Sequence, residues 1–164
     1  MRRLAFTLLG VLVAASVKAG EACTQGKGVY ADASGLYTLT FEPVDPETSA
    51  ATHRFKVAVK DTPILLDGYV MTTEPVARPQ GMLFHNCPEG DATGADIAAC
   101  TVWQDIVYGA SGGTIVTLPD QDKPAVGELL LPGFAPSLQS SSAWGKGKAE
   151  REPSDTLTLT GCAP

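Results

Sequence analysis

The sequence predicts a mainly β fold, either one antiparallel β-sandwich or a small open barrel, with α+β as the alternative class. Three observations support this expectation. Short segments of alternating apolar and polar residues recur along the chain, and turn-forming residues separate them. The apolar spacing becomes helical only near 122–143, where we expect one helical segment.

The first two predicted strands cover 36–41 and 55–59. Aromatic and leucine side chains alternate with threonines in the first, and apolar residues alternate with lysine in the second. Alternation of this kind places the apolar side chains on one face of a strand and the polar ones on the other. Two prolines lie between the segments, so we predict an antiparallel hairpin with a loop of about ten residues, longer than most.

Further short β segments follow. Segments 64–66 and 69–72 are expected to be interrupted at Asp67-Gly68, a dipeptide typical of a turn or bulge. Residues 74–81 are not expected to form a central strand, because their two prolines cannot donate to a sheet ladder. Strands are then predicted at 82–85, 101–108, 114–118 and 156–160, with a loop at 88–99 and a turn at 109–113.

The spacing changes in the helical segment. Its apolar residues stand at positions i, i+3, i+4, i+8 and i+12, namely Val126, Leu129, Leu130, Phe134 and Leu138. Pro132-Gly133 argues against one continuous helix. We therefore predict a helix near 124–131 and a second short helical turn near 136–142.

The first nineteen residues match a secretory signal peptide. Arg2 and Arg3 precede an uncharged apolar run, 4–17, and the segment ends in Val17-Lys18-Ala19. The run is shorter than the roughly 20 residues that a membrane-spanning helix needs. We expect residues 1–19 to be a signal peptide and 20–164 to form one exported domain, periplasmic or extracellular, without a membrane span.

The exported part is acidic. It carries nine basic and eighteen acidic side chains, a net charge of about −9 with neutral histidines. Such a surface repels the phosphates of nucleic acids and the headgroups of anionic lipids. Nucleic acid is therefore not expected as a partner.

Four cysteines remain after export: Cys23, Cys87, Cys100 and Cys162. An even number in an exported protein implies disulfides, and four cysteines allow three connectivities. Their spacing does not match the paired cysteines of structural zinc sites. We favour Cys87–Cys100, which closes a short loop of small residues, and Cys23–Cys162, which joins the two ends of the exported chain.

Two patterns carry residue types used in catalysis or metal binding. Gly109-Ala-Ser111-Gly-Gly113 matches G-x-S-x-G and resembles the signature of trypsin-like proteases. A nucleophile elbow leads into a helix, but 114–118 is a predicted strand, so Ser111 is predicted to be a turn residue. His85 lies near Glu89, Asp91 and Asp96, whose spacing departs from the calcium-binding loop of EF-hands. We therefore predict no catalytic, metal-ligating or cofactor-binding residues.

One late segment resembles a known family. Trp144-Gly-Lys146-Gly-Lys-Ala149 is similar to a segment of the membrane-bound and periplasmic inhibitors of C-type lysozymes. The resemblance covers six residues and implies a small exported β-barrel with disulfides that inhibits a lysozyme. The chain departs from that family at its Ser-Gly-x-x-Tyr motif, because Ser111-Gly112 has no tyrosine at this spacing.

These observations predict an exported, non-catalytic binding or structural module whose ligand the sequence does not specify. Its binding-surface candidates are Trp144, Lys146 and His85, and its expected partner is another exported protein. An inhibitor of an exported enzyme, such as a lysozyme, is the alternative. A small periplasmic hydrolase or metal enzyme is the third hypothesis.

Overall fold

Ten strands form a single antiparallel sheet in the computed structural model, which describes residues 23–164. The strands are β1 (Gly28–Asp32), β2 (Tyr37–Glu42), β3 (His53–Val59), β4 (Leu65–Thr72), β5 (Pro79–Phe84), β6 (Thr101–Ile106), β7 (Tyr108–Ser111), β8 (Thr114–Thr117), β9 (Glu128–Leu130) and β10 (Thr156–Cys162). Their order across the sheet is β6-β5-β4-β3-β2-β1-β10-β9-β7-β8. The predicted mainly antiparallel β fold is confirmed.

The sheet curls into an open half-barrel because the chain links its two ends directly. β6 is the strand at one end, and β7 lies next to the strand at the other end, yet only Val107 separates them in sequence. The Val107 N–H donates to the Pro79 carbonyl at 2.8 Å. Consecutive strands must lie close in space, so the sheet bends to bring its ends together. The structure therefore matches the open-barrel alternative.

The interior of the half-barrel contains the core. Buried and less buried residues alternate strictly along β2, and the register places Phe41 opposite Phe55 and Leu39 opposite Val57. Phe134 enters the interior from a helix and packs edge-on against Tyr37 and Trp103, with ring centroids 6.1 and 6.5 Å apart. The large side chains buried most completely are Tyr30, Tyr37, Phe41, Phe55, Phe134, Leu39, Leu66, Leu83, Leu129, Leu131, Leu138 and Leu157.

Two short α-helices accompany the sheet: α1 (Gly94–Cys100) and α2 (Phe134–Gln139). α1 lies in the segment predicted to be a loop at 88–99. It begins with a capping box, in which Thr93 and Asp96 each accept a hydrogen bond from the other's backbone N–H. α2 overlaps the short helical turn predicted near 136–142.

The helix predicted near 124–131 is wrong, because residues 128–130 form β9. Leu129 lies opposite Leu157 of β10 and opposite Gly109 of β7. Ladder bonds to strands on both sides satisfy the backbone of β9, and this tertiary pairing overrides the helical spacing of the sequence.

Several strand predictions also change. Segments 64–66 and 69–72 are not interrupted, because Gly68 stays in the ladder of β4 opposite Phe55 and Leu83. The exclusion of 79–81 from a central strand is wrong as well. β5 lies between β4 and β6, and Pro79 is its first residue, a position at which a sheet tolerates proline.

The remaining differences concern strand ends and one strand that the sequence analysis missed. The strand predicted at 101–108 divides at Val107, and residues 109–111 belong to β7 instead of to the turn. β1 had not been predicted. Its sequence, Gly-Val-Tyr-Ala-Asp, contains only two strong β-formers, and pairing with β2 and β10 on either side determines its conformation.

Two disulfides brace the chain. Cys23–Cys162 and Cys87–Cys100 have Cα–Cα distances of 5.7 and 5.1 Å, and they are the two pairs favoured from the sequence. They indicate an oxidising, exported location. The predicted signal peptide, 1–19, lies outside the described residues. Within 23–164, no helix is both long and apolar enough to cross a membrane.

Candidate functional site

Two clefts flank the disulfide-closed segment 87–100, and Asn86 lines both of them. We call the cleft lined by Tyr69, Phe84 and Ile97 the outer groove. The cleft lined by His85, Ser142 and Lys148 is the polar cleft. The segment leaves the end of β5 through His85 and Asn86. The His85 N–H donates to the Cys100 carbonyl at 2.9 Å, and the Cys87–Cys100 bond closes the segment covalently. Both clefts therefore share a wall that is fixed to the sheet.

The outer groove has a volume of about 540 Å³, and its large apolar lining residues, Tyr69, Phe84 and Ile97, are called here its apolar base. The rings of Tyr69 and Phe84 form a tilted pair with centroids 6.3 Å apart, and both line the groove. Ile97 of α1 also lines it and is 40% exposed. The groove thus presents aromatic and aliphatic surface on the outer face of the sheet.

Charged side chains border this apolar surface. The Arg54 guanidinium lies 5.9 Å from the centre of the Tyr69 ring, and its Nε lies 3.1 Å from a Glu42 carboxylate oxygen. Lys56 donates to Asp67 at 2.8 Å on the neighbouring strand. Exposed ion pairs of this kind add little stability. Of these four residues, Arg54 and Asp67 line the groove, so charges of both signs lie beside the apolar base.

The polar cleft lies on the other side of Asn86 and has a volume of about 350 Å³. His85 is only 7% exposed, and its Nδ1 lies 3.1 Å from the Ser142 hydroxyl. The Lys148 ammonium donates to the Ser142 carbonyl at 2.7 Å. All three residues line the cleft, so it forms where the end of β5 meets the loop after α2.

The electrostatic environment favours a neutral His85. Burial lowers the pKa of the imidazole, and the positive charge of Lys148 lowers it further. A neutral imidazole carries one N–H donor and one acceptor. With Nδ1 engaged by Ser142, the other ring nitrogen, Nε2, has no hydrogen-bond partner among residues 23–164.

One carboxylate also lines the cleft. Hydrogen bonds from the Thr93 hydroxyl, at 2.7 Å, and from the Thr93 N–H, at 2.9 Å, lower the pKa of Asp96. The same Asp96 oxygen accepts both bonds. The capping box of α1 therefore uses one of the two carboxylate oxygens, and the other lacks a hydrogen-bond partner within the described range 23–164.

The structure separates the three residues proposed from the sequence as a binding surface. His85 lines the polar cleft. Trp144 is partly buried against the core, and Lys146 is exposed in the same loop. Lys148, two residues further on, is the lysine that lines the cleft. The loop keeps its shape through a bond from Gly145 N–H to the Ala149 carbonyl at 2.9 Å.

The serine of the G-x-S-x-G pattern and the second histidine of the chain lie elsewhere. Ser111 is exposed at the end of β7, and the structure records no hydrogen bond from its side chain to either histidine. His53 is buried at 3% exposure, and its Nε2 lies 2.9 Å from the Pro119 carbonyl. In the described part of the chain, no three His, Cys, Asp or Glu side chains cluster as a metal site would require.

The aromatic base of the outer groove was not predicted from the sequence. Tyr69 and Phe84 lie on strands β4 and β5, where the register places Asp67 opposite Phe84 and Tyr69 opposite Met82. The apolar side chains at 69, 71, 82 and 84 alternate with residues that are also apolar, so the sequence could not distinguish the outer face from the core.

Comparison with known proteins adds no further constraint on the site: no protein-family model matches the chain, and neither does any curated protein or solved structure.

Proposed function

We propose that this protein is an exported, non-catalytic binding module and that it binds another exported protein through the outer groove. The apolar base formed by Tyr69, Phe84 and Ile97 supports this proposal most directly. Protein interfaces place aromatic side chains at their centre and charged side chains at their rim. The outer groove has this arrangement, with Arg54 and Asp67 at its border.

The outer face of the sheet supplies a second argument. An antiparallel sheet that packs one face on the core usually presents a polar face to water. Here the outer face of β4 and β5 also carries Met71, which is 39% exposed, and Met82 opposite Tyr69. Methionine adapts its shape to different apolar partners, which suits a surface that binds another protein.

The contact between His85 and Ser142 raises the hydrolase hypothesis, but its electrostatics favour binding. In a serine nucleophile pair, a carboxylate on the second imidazole nitrogen stabilises the protonated ring. The charge that acts on His85 here is the Lys148 cation, which lowers its basicity. With Lys148 as its neighbour, His85 is a weak general base, but it can still form a hydrogen bond to a bound partner.

The proposal is tested by capturing a partner from the exported fraction of the source cell with purified 20–164. We expect a stoichiometric protein partner for the wild type and loss of at least tenfold in affinity for Ile97→Asp, which places a charge in the groove. Ile115→Asp is the matched control, because Ile115 is 55% exposed on β8 and lines neither cleft. It should bind as the wild type does.

Two results would contradict the proposal. Equal binding by wild type and Ile97→Asp would show that the outer groove is not the binding surface. Hydrolysis of an ester or peptide substrate that disappears in Ser142→Ala would favour the hydrolase hypothesis. If the captured partner is an enzyme whose activity falls on binding, the module is an inhibitor, as the alternative hypothesis holds.

A further inference from the structure

We propose that the polar cleft binds a carboxylate group, held by the Lys148 ammonium and by His85 Nε2. This inference rests on the proposed function, since the carboxylate would belong to the protein partner that occupies the outer groove. Asn86 lines both clefts, so a chain seated in the groove reaches the polar cleft directly beside it.

The unpaired nitrogen of His85 is the first observation. The side chain is more than nine-tenths buried, and its ring is fixed on one side by Ser142 at 3.1 Å. When the Ser142 hydroxyl donates to Nδ1, the hydrogen of the neutral ring resides on Nε2 and makes it a donor. Nε2 has no partner within the residues that the structure describes, and His85 lines the cleft, so this donor is available to an acceptor that enters there.

The local charge is the second observation. Segment 146–151 carries three of the nine basic residues of 20–164, and two of them, Lys148 and Arg151, line a neighbouring cleft together with Lys60. The carboxylates there are Asp61 and Glu150, and Glu150 already accepts from the Gly147 N–H at 2.7 Å. On a protein of strongly negative net charge, this concentration of cations directs an anion to Lys148.

The donor set indicates the class of anion. A carboxylate is a planar monoanion with two acceptor oxygens, and the cleft offers one cation and one neutral N–H. A phosphate dianion would need more positive charge and would be repelled more strongly by Asp96 across the same cleft. A protein partner can supply a carboxylate from its C-terminus or from an Asp or Glu side chain, and both are the same group to Lys148 and His85.

Small probes test the inference separately from the proposed function. The ring resonances of His85 are followed by NMR while N-acetyl-leucine, N-acetyl-leucine amide and N-acetyl-glutamate α-amide are added at millimolar concentrations. The first probe carries a main-chain carboxylate, the second carries none and the third carries only a side-chain carboxylate. We expect saturable shifts with one or both acids and none with the leucine amide. The bound acid should also raise the pKa of His85, since a nearby anion favours the charged imidazole.

Variants identify the groups that bind the carboxylate. Lys148→Met keeps the aliphatic stem and removes the charge, and it should weaken binding of the acid probes at least fivefold. Lys146→Met is the matched control from the same loop and should change binding less than twofold. Absence of saturable shifts with both acids, equal shifts with the amide, or equal losses in the two lysine variants would overturn the inference. Partner capture that depends on Ile97 but not on Lys148 would leave the proposed function standing and reject the carboxylate site.

Discussion

At the residue scale, the buried histidines should make the stability of the protein depend on pH. Burial lowers the pKa of His53 below its usual 6.5, and the hydrogen bond to Pro119 and the charge of Asp120 offset this only in part. The pKa of His85 is lowered as well. A group whose pKa is lower in the folded state stabilises the protein above its unfolded pKa. The stabilisation is lost as the pH falls below about 6.5.

The measurement is chemical denaturation at pH 7.5, 6.5, 5.5, 4.5 and 3.0. We expect the free energy of unfolding to decrease below pH 6.5, and the decrease to be smaller in His53→Gln, which cannot become charged. An additional decrease should begin below pH 4 from Asp32. Burial raises the pKa of Asp32, but hydrogen bonds from Ser34, Tyr37 and Leu36 outweigh burial and hold it below 3.8. An unchanged slope in His53→Gln would contradict the assignment to His53.

The role of a residue could be predicted only where its position along the chain is enough to determine that role. The pairing of the four cysteines followed from loop length and the position of the chain ends. The contact of His85 with Ser142 could not be predicted, because 57 residues separate them and only the tertiary structure brings them together. For the same reason Lys146 was selected from its local motif, whereas Lys148 lines the cleft.

At the element scale, the hairpin of β7 and β8 depends on its two-residue turn. Gly112 and Gly113 have φ values of +56° and +78°, as a type I′ turn requires, and no atom would lie within 4 Å of an added Cβ at either position. A side chain at either position would therefore affect stability through the backbone conformation and not through a steric clash. Gly112→Val should destabilise the protein by about 1–3 kcal/mol, and Gly112→Asn should cost clearly less because asparagine adopts positive φ. Equal costs in thermal denaturation would contradict this explanation.

β4 contains a glycine for a different reason. A Cβ on Gly68 would lie 2.3 Å from the Phe55 ring, so the ring occupies the space above this residue. Gly68→Ala should cost about 1–3 kcal/mol through overpacking of the core. Gly161→Ala is the control, because an added Cβ there meets no atom within 4 Å, and it should change stability by less than about 0.5 kcal/mol. If urea denaturation shows a similar loss of stability for Gly68→Ala and Gly161→Ala, a general effect of alanine on the strand, and not a clash with the Phe55 ring, is responsible.

The same glycine explains a limit of prediction at this scale. Asp67-Gly68 has the composition of a turn, but here the glycine makes room for a ring from the adjacent strand, which is a tertiary requirement. Strands with regular alternation, such as β2 and β3, were predictable from local sequence. β9 was not predictable from local sequence. It has only three residues, which is too short for a strand pattern to stand out against the helical spacing around it, and its conformation depends on pairing with β10 and β7.

At the scale of the whole molecule, the two disulfides restrain different parts of the chain. Cys23–Cys162 joins residues 139 apart at the end of the β1–β10 ladder, and Cys87–Cys100 joins residues 13 apart in the wall shared by the clefts. Loop-closure entropy in the unfolded chain predicts about 5 kcal/mol for the first bond and about 3 kcal/mol for the second. Removing the terminal bond should therefore cost more stability.

Removal of the two disulfides should affect partner binding in the opposite order to stability. The double variant Cys87→Ala/Cys100→Ala loosens the wall that both clefts share, so it should lose partner binding at a temperature where it is still folded. Cys23→Ala/Cys162→Ala is less stable but leaves this wall intact, and it should bind with the affinity of the wild type while folded. Urea denaturation gives the order of stability, and partner titration at 10 °C gives the order of affinity. A larger stability loss from the short loop would contradict the entropic argument, whereas equal binding losses would contradict the placement of the site beside Cys87–Cys100.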